Sequence, residues 1–421
     1  MLEPYRLETL PLETADDDPR WAAYLDLFGN AFLDPRPTEG ELELYRENQR
    51  ADLATLCMVT TEGPGLEGRQ PVAGLAWGGI KVNCGRDPVS AMVVKTVAVR
   101  STHRRKGLAR AMMQHNLTLA RDKGHALAVL TASEATIYGR FGFGIADRHE
   151  SWEIDARRFA LRPDVDVAPG SCELLSPARA ADVFEQVTAA CLAVQRGSHS
   201  PLNVHRRRAV GRTADGEDRA LRYLVHHDPD GVADGFATFT HGQWPDVPYG
   251  DPAPMEVTAL WAPTPAIGRA LWRGLVEIDL VTRIRYDFMP RGDSLPYSLV
   301  DSWAIKRRST RDGVWLRILD LPSAIAQRGF DADGEITLRV VDPMGFCDGT
   351  WRIRAEEDVA TAEPTTDFPT VELAVDTLAR LWHGDVTARE LARAGLVRGE
   401  GVAALSDLFA THAPPVNLIH F

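Results

Sequence analysis

The sequence has little cysteine. Five residues in 421, Cys57, Cys84, Cys172, Cys191 and Cys347, lie far apart. An odd, scattered set excludes a disulfide framework and fits reduced thiols in a cytoplasm. Long apolar runs are missing too. None approaches the ~18 residues needed to span a bilayer, so no membrane partner is expected. The opening segment, MLEPYRLETLPLETADDDPRW, is acidic. It has neither the basic nor the apolar region of a secretory signal, and the expected location is cytoplasmic. No C-x-x-C or H-E-x-x-H spacing occurs, so no metal site is read. The G-x-x-x-x-G-K-[ST] and G-x-G-x-x-G loops are absent as well. Positive charge is in deficit: 47 Lys and Arg against 59 Asp and Glu give a net charge of −12. That balance argues against nucleic acid as the main partner and suits a cationic small molecule.

What is present is ordinary for a globular chain: 44% hydrophobic and 25% charged residues, enough for a sizeable core. The length predicts two to four domains at ~100–200 residues each. Over residues 1–150, ATLCMVTTEG and QPVAGLAWGGIKVNCG read as strands around a Gly-rich hairpin. AMVVKTVAV is a continuous β-rich run. KGLARAMMQHNLTLARDKG has the spacing of an amphipathic helix closed by Gly124. ALAVLTA is another buried strand, and SWEIDARRF reads as the strand that finishes this unit. LRPDVDVAPGS reads as a linker.

Residues 151–300 begin again in the same way. MEVTALWA leads into the helix PTPAIGRALWRGLVEIDL. At one constant offset, Ala98 meets Ala259, Gly107 meets Gly268 and Ala109 meets Ala270. The unit of strand, turn and helix therefore reads as occurring twice. In the second copy Arg104 and Arg105 fall opposite Pro265 and Ala266, so its basic cluster is gone. Residues 301–421 group their strands before their helices, starting with GVWLRILDLPSAIAQRG, and predict a separate α+β domain.

The chemistry concentrates in VVKTVAVRSTHRRKGLARAMMQH. A β-run ends, a short turn follows, and a helix begins with Arg104-x-x-Gly107-x-Ala109. The first N–H groups of a helix have no internal partner and carry the positive end of its dipole. Arg104, Arg105 and Lys106 place cations at that unfavourable end, which points to an anionic ligand. Gly107 admits a ligand to the backbone, and Leu108 and Ala109 open a narrow first turn. This is a pyrophosphate cradle.

Arg104-x-x-Gly107-x-Ala109 after TVAV resembles motif A of the GNAT acetyltransferases, the [RQ]-x-x-G-x-[GA] loop for coenzyme A. LTASEATIYGRFGFG is similar to the Tyr-containing motif of the same superfamily. The two together resemble, over the whole chain, the enhanced intracellular survival (Eis) acetyltransferases. The resemblance implies an α/β (α+β) fold: a GNAT domain (1–150), a degenerate GNAT-like domain (151–300) and a sterol-carrier-like domain (301–421). It implies acetyl-CoA as cosubstrate, with the backbone of Val97, Ala98 and Val99 pairing with the pantetheine arm. Ser133 follows the next strand, placed to cap the following helix and assigned to the cofactor site. Tyr138 is then the general acid, a phenol of pKa ~10 able to protonate a departing thiolate; the alternative is a packing aromatic beside Phe141 and Phe143.

The attacking amine needs a base. The chain end, PPVNLIHF, is apolar and reads as docked. Eis proteins end on Phe, whose terminal carboxylate is their base, and Phe421 matches that position. The resemblance also implies aminoglycosides or related polyamines as acceptors, and a hexamer. Asp34 aligns with a family residue that holds substrate ammonium groups. His420 stands where some members carry Glu. Tyr45 and Trp77 are candidates for either the pocket wall or the core. Two alternatives stay open: a different amine acceptor (a protein lysine, an arylalkylamine or a metabolite), and a lipid- or acyl-binding protein built on the C-terminal domain.

Overall fold

The structure is a computed structural model. It describes residues 3–417 apart from 64, 65, 67, 244–251 and 358. Its first sheet is built by β1 (Arg6–Leu10), β2 (Thr55–Thr61), β3 (Gln70–Val82), β4 (Val89–Val99), β5 (Leu127–Thr131), β6 (Gly144–Ile145) and a distant strand, β16 (Val314–Ile318). The order is β1-β2-β3-β4-β5-β16-β6. Only β4 and β5 run parallel, joined by the crossover helix α3 (Leu108–Asp122). Both faces of this sheet are covered, which is why β2 to β5 are apolar throughout. Cys57 and Val59 face Met112, Met113 and Leu117 of α3. Their neighbours Leu56 and Met58 face Trp21, Tyr24 and Phe28 of α1 (Pro19–Phe32). Helix α2 (Glu39–Ala51) starts at a capping box. Thr38 Oγ1 accepts from Glu41 N, and Glu41 Oε2 accepts from Thr38 N.

The second sheet repeats the plan. Its strands are β7 (Arg148–Asp155), β8 (Ser171–Leu174), β11 (Leu221–His227), β12 (Ala233–Thr240), β13 (Met255–Trp261), β14 (Arg283–Pro290) and β15 (Ile305–Asp312). They lie in the order β15-β7-β14-β13-β12-β11-β8. A small ribbon, β9 (Arg212–Thr213) with β10 (Gly216–Glu217), stands apart. Helices α5 (Pro177–Val194) and α6 (Asn203–Ala209) precede it, and α7 (Pro265–Val276) makes the parallel crossover from β13 to β14. The third sheet joins β17 (Gly334–Val341), β18 (Gly349–Glu356), β19 (Val359–Pro364), β20 (Val371–Ala374) and β21 (Val397–Arg398) in the order β19-β18-β17-β20-β21. Helix α8 (Leu321–Gln327) precedes this sheet. Helices α9 (Val375–Arg380), α10 (Ala388–Arg393) and α11 (Val402–Leu408) complete the domain.

Three strands depart from the reading of the sequence, the first being β15, which lies past residue 301 yet pairs with β7 in the second sheet. SWEIDARRF does not finish the first unit. It supplies β7, which pairs with β14 and β15 in the second sheet. GVWLRI does not open the third unit either. It supplies β16, inserted between β5 and β6 of the first sheet. Gly313 alone separates β15 from β16, so the chain crosses between sheets without a linker. A Cβ at Gly313 would overlap Asp147 Oδ1, so only glycine permits that crossing. The stretch read as a linker lies between β7 and β8 of one sheet, with Leu161 bridged to Leu299. One apolar cluster holds Val93, Leu316, Leu338 and Ile353 together, so the first and third domains share a core.

Candidate active site

Strands β4 and β5 pair only over Ala91–Val93 and Leu127–Val129. Beyond that they part. The cause is a bulge in β4: Lys95 pairs with Ala76 and Ala98 with Gly74, and Thr96 takes φ 50°. Ala98 and Val99 stay bonded to β3 on one side. Among the described residues their other backbone edge has no strand beside it, so an extended ligand can add to the sheet there. Val97 and Val99 pack against the α3 core, and Ala98 against the α1 core.

The strand leads through a 3-10 turn, Ser101–His103, to the start of α3. Two residues between this turn and α3 have positive φ: Arg105 at 63° and Gly107 at 77°. Gly107 is the N-cap, and no side chain caps the helix. The N–H groups of the first turn are thus left for a ligand. A Cβ on Gly107 would meet nothing within 4 Å, so the backbone there borders open space. Arg104 and Arg105 are exposed and form no ion pair among the described residues. Lys106 Nζ stands 5.6 Å from the ring centroid of Tyr5. Leu108 is buried beneath the first turn of α3, and Ala109 is half-buried. The set fits the diphosphate and pantetheine of coenzyme A.

Tyr138 ends the short helix α4 (Ala135–Tyr138) that follows β5. It is 6% exposed and meets Phe143 edge to face at 6.2 Å. Burial pushes its pKa up, and the charge of Glu134 pushes it further. The phenol is therefore held protonated, as a proton donor requires. Ser133 does not cap α4. Glu134 occupies the N-cap position, without a side-chain hydrogen bond, and Ser133 is exposed.

The acceptor-side expectations divide. Trp77 is a core residue, 3% exposed under α3, with its indole N–H donated to Asn116 Oδ1 at 3.0 Å. That burial removes it from the pocket wall. Tyr45 packs on Tyr24, ring centroids 6.4 Å apart, in the core that contains Ala98. Its buried hydroxyl lies with those of Tyr24 and Thr96 at the bulge. Asp34 is exposed in the segment after α1. His420 and Phe421 lie outside the described residues.

Sequence reasoning missed an ion pair beside the bulge. Lys95 Nζ lies 3.0 Å from Asp52 Oδ2, with only 13% and 4% of the side chains exposed. Burial lowers the pKa of Lys95, and the Asp52 charge opposes that shift. Asp52 Oδ1 also accepts the N–H of Asn203 at 2.8 Å, which ties in the second domain. A lone Lys in a β-run was the available signal.

Among the described residues no helix is long and apolar enough to cross a membrane. Comparison with known proteins gives three family matches. The acetyltransferase (GNAT) domain matches residues 15–146, a second acetyltransferase (GNAT) domain matches 201–318, and the sterol carrier protein domain matches 321–417. An uncharacterised N-acetyltransferase of Streptomyces coelicolor is 31% identical over 95% of this chain and 95% of its own. The N-acetyltransferase Eis of Mycobacterium tuberculosis is 32% identical over 76% of this chain and 77% of its own. In fold, the crystal structure of Eis1 from Mycobacterium abscessus superposes with a TM-score of 0.81 at 24% identity, covering 99% of this chain and 100% of the other.

Proposed function

This chain belongs to the Eis family of GNAT N-acetyltransferases, and from that premise we propose that it moves the acetyl group of acetyl-CoA directly to an amine of an aminoglycoside or related polyamine. The observation that carries the reading is the cradle. A bulged strand with a free edge runs into an uncapped helix start, where Gly107 leaves the backbone open.

Each residue then has a task. The backbone of Val97–Val99 orients the pantetheine arm. The first N–H groups of α3, with Arg104 and Arg105, neutralise the diphosphate. Tyr138 gives its hydroxyl proton to the thiolate as it leaves. An amine of pKa near ~10.4 arrives protonated, and a base must take its proton before attack. The terminal carboxylate of Phe421 is assigned that step. In support, the tail leading to it is anchored at Asn417 by buried histidines.

A second reading, acetylation of a different amine, draws on one observation. Asp34, the residue assigned to the ammonium groups, is exposed after α1, and the buried carboxylate beside the bulge is already committed to Lys95 and Asn203. The lipid-carrier reading is weaker. Ile353 and Ala355 of β18 fill a core shared with the first domain, while Arg352, Arg354 and Glu356 face outward. Assembly as a homo-oligomer, a hexamer by resemblance, is supported by Tyr297, Val300 and Trp303, large side chains exposed along one short segment.

The test is a panel of amines with acetyl-CoA, read by thiol release, on the native chain and on Gly107→Val. A valine at φ 77° is strained, and its side chain occupies the cradle. Thiol release with aminoglycosides and a steeply raised KM for acetyl-CoA in Gly107→Val are expected. Unchanged acetyl-CoA affinity in a folded Gly107→Val would remove the cradle from the reading.

A further inference from the structure

The second GNAT domain keeps the geometry of the first at the place where the cradle stood. Strands β13 and β14 pair only over Met255–Val257 and Ile284–Tyr286, then part. A bulge at Thr258 accompanies the parting. The helix that follows cannot take a diphosphate, because it is already capped. Thr264 Oγ1 accepts from Ile267 N at 3.3 Å, and Pro265 fills the first turn. Between the parted strands lies a cavity of about 510 Å³. Its size falls in the range of small-molecule sites.

The walls are mainly apolar: Leu260, Trp272, Tyr286, Met289 and Leu295, with Pro414 and Val416 from the chain's tail closing one side. The cations in the lining are spoken for. Arg196 gives its guanidinium to Cys84 O, Gly329 O and Asp331 Oδ1 at 3.0–3.1 Å. Arg269 Nε donates to Asp166 O, and Arg86 has a partner of its own.

The acceptors are not spoken for. Gln195 donates its amide N–H to Ala262 O at 2.7 Å, but its Oε1 is buried without a partner among the described residues. Asp293 accepts Leu295 N at 2.7 Å through Oδ1, and its second oxygen has no hydrogen-bond partner among the described residues. Burial also raises the Asp293 pKa, against the bond from Leu295 N and the charge of Arg269, which lines the same cavity. Unspent acceptors, satisfied cations and aromatic walls together select a ligand that brings N–H donors on an apolar body.

We infer that the parted strands of the second GNAT domain form a binding site, separate from the acetyl-CoA cradle, for a small protonated amine with an apolar body. The ammonium meets Asp293, and the body lies against Trp272, Tyr286 and Leu295. The duplication thus left a second site, whose ligand has the opposite charge to the first.

The test uses N,N-dimethyl-2-phenylethylamine, a cation at neutral pH whose tertiary nitrogen gives no stable amide. It is titrated by calorimetry into the full chain without acetyl-CoA. Phenylacetate, with the same ring and the opposite charge, is the control. Gly268→Leu fills the cavity from α7, where a new Cβ meets only Ala262 Cβ at 3.7 Å. Asp293→Asn keeps the bond from Leu295 and removes the charge. Each variant should weaken the amine by about tenfold or more, the effect of one charged hydrogen bond. Phenylacetate should bind no better than that. Gly107→Val should leave the amine untouched, so failure of the cradle reading and failure of this one stay distinct. The inference is overturned by equal binding in Gly268→Leu and Asp293→Asn, by equal binding of phenylacetate, or by no binding of the amine up to about 10 mM. Loss of amine binding in Gly107→Val overturns it too, because the probe then sits in the cradle.

Discussion

The Nε2 of His149 lies 2.8 Å from the carbonyl oxygen of Asn417. A carbonyl only accepts, so His149 donates there. The Nδ1 of His199 lies 3.1 Å from Asn417 Oδ1, and all three residues are at most 2% exposed. His149 lies on β7 of the second domain's sheet, and His199 follows α5. Two elements of that domain thus hold the tail of the third, four positions before Phe421. The fixed point matters because a base works only within hydrogen-bond reach of its proton.

His149→Ala should therefore lower kcat by about tenfold or more, the scale of one buried hydrogen bond and a displaced base. Acetyl-CoA affinity should stay intact, since the cradle is untouched. His149→Gln keeps a donor and should recover part of the rate. Single-turnover kinetics beside calorimetry separate the two quantities. An unchanged kcat in His149→Ala, with the fold intact by circular dichroism, would detach the tail anchor from catalysis.

Tyr138→Phe keeps the packing on Phe143 and removes the acid. Turnover should fall by ~10²–10⁴ with acetyl-CoA affinity nearly constant. Glu134→Gln gives a sharper reading. Glu134 raises the Tyr138 pKa, so its neutralisation lowers that pKa. The acid form is then lost at lower pH, and the alkaline limb of kcat against pH should move down. A pH profile identical to the native one would show that another group protonates the thiolate.

The strand, turn and uncapped helix start assigned to the cofactor were legible in the sequence because a helix start with Arg104, Arg105 and Gly107 is a local object. Its turn, helix and free strand edge all lie within one run of residues. The repeat of strand, turn and helix was legible for the same reason, and both copies fold alike down to the bulge. What escaped is non-local. β7 is a strand of alternating burial and β16 a mainly apolar one, and nothing in SWEID or GVWLRI states which sheet will take it. That choice is set by pairings such as Ile154 with Ile305 and Leu316 with Val129, between residues distant in the chain. The Asp52–Lys95 pair escaped likewise, since no spacing rule links a residue after α2 to one on β4. Trp77 stayed open between pocket wall and core because an aromatic in a Gly-rich strand reads the same whether it faces a pocket or α3.

Asp147 gives a prediction for stability. Its carboxyl is buried under Gly313, and burial raises its pKa to about 7. The N–H of Val314 works against that rise, and the Asp385 charge adds to it. Below about pH 4 the group is protonated in both folded and unfolded chains. Between about pH 4 and 7 the unfolded chain ionises while the folded chain keeps its proton. Stability therefore falls as pH rises through that window, by an amount on the order of 4 kcal/mol at most. Asp147→Asn removes the titration and should flatten this part of the melting-temperature profile. Equal slopes in native and variant chains between pH 4 and 7 would show that Asp147 is ionised in the fold.

The final prediction concerns the carboxylate of Phe421. If it is the base, the chemistry needs a free carboxylate at one point in space. An added residue turns that carboxylate into a neutral amide and moves the charge by about 3.5 Å along the chain. Extension should then be as damaging as deletion. A single glycine appended after Phe421 should abolish turnover, while acetyl-CoA binding and melting temperature stay close to native, because the cradle and the His149–Asn417 anchor precede it. A tag at the other end should be harmless. The two forms are compared with one saturating amine at several pH values. Raising the pH supplies neutral amine without a base, so the glycine-extended form should recover activity toward alkaline pH and the native form should change far less. Equal rates at neutral pH would sink the terminal base, and the proton would then have to leave through another group near the bulge.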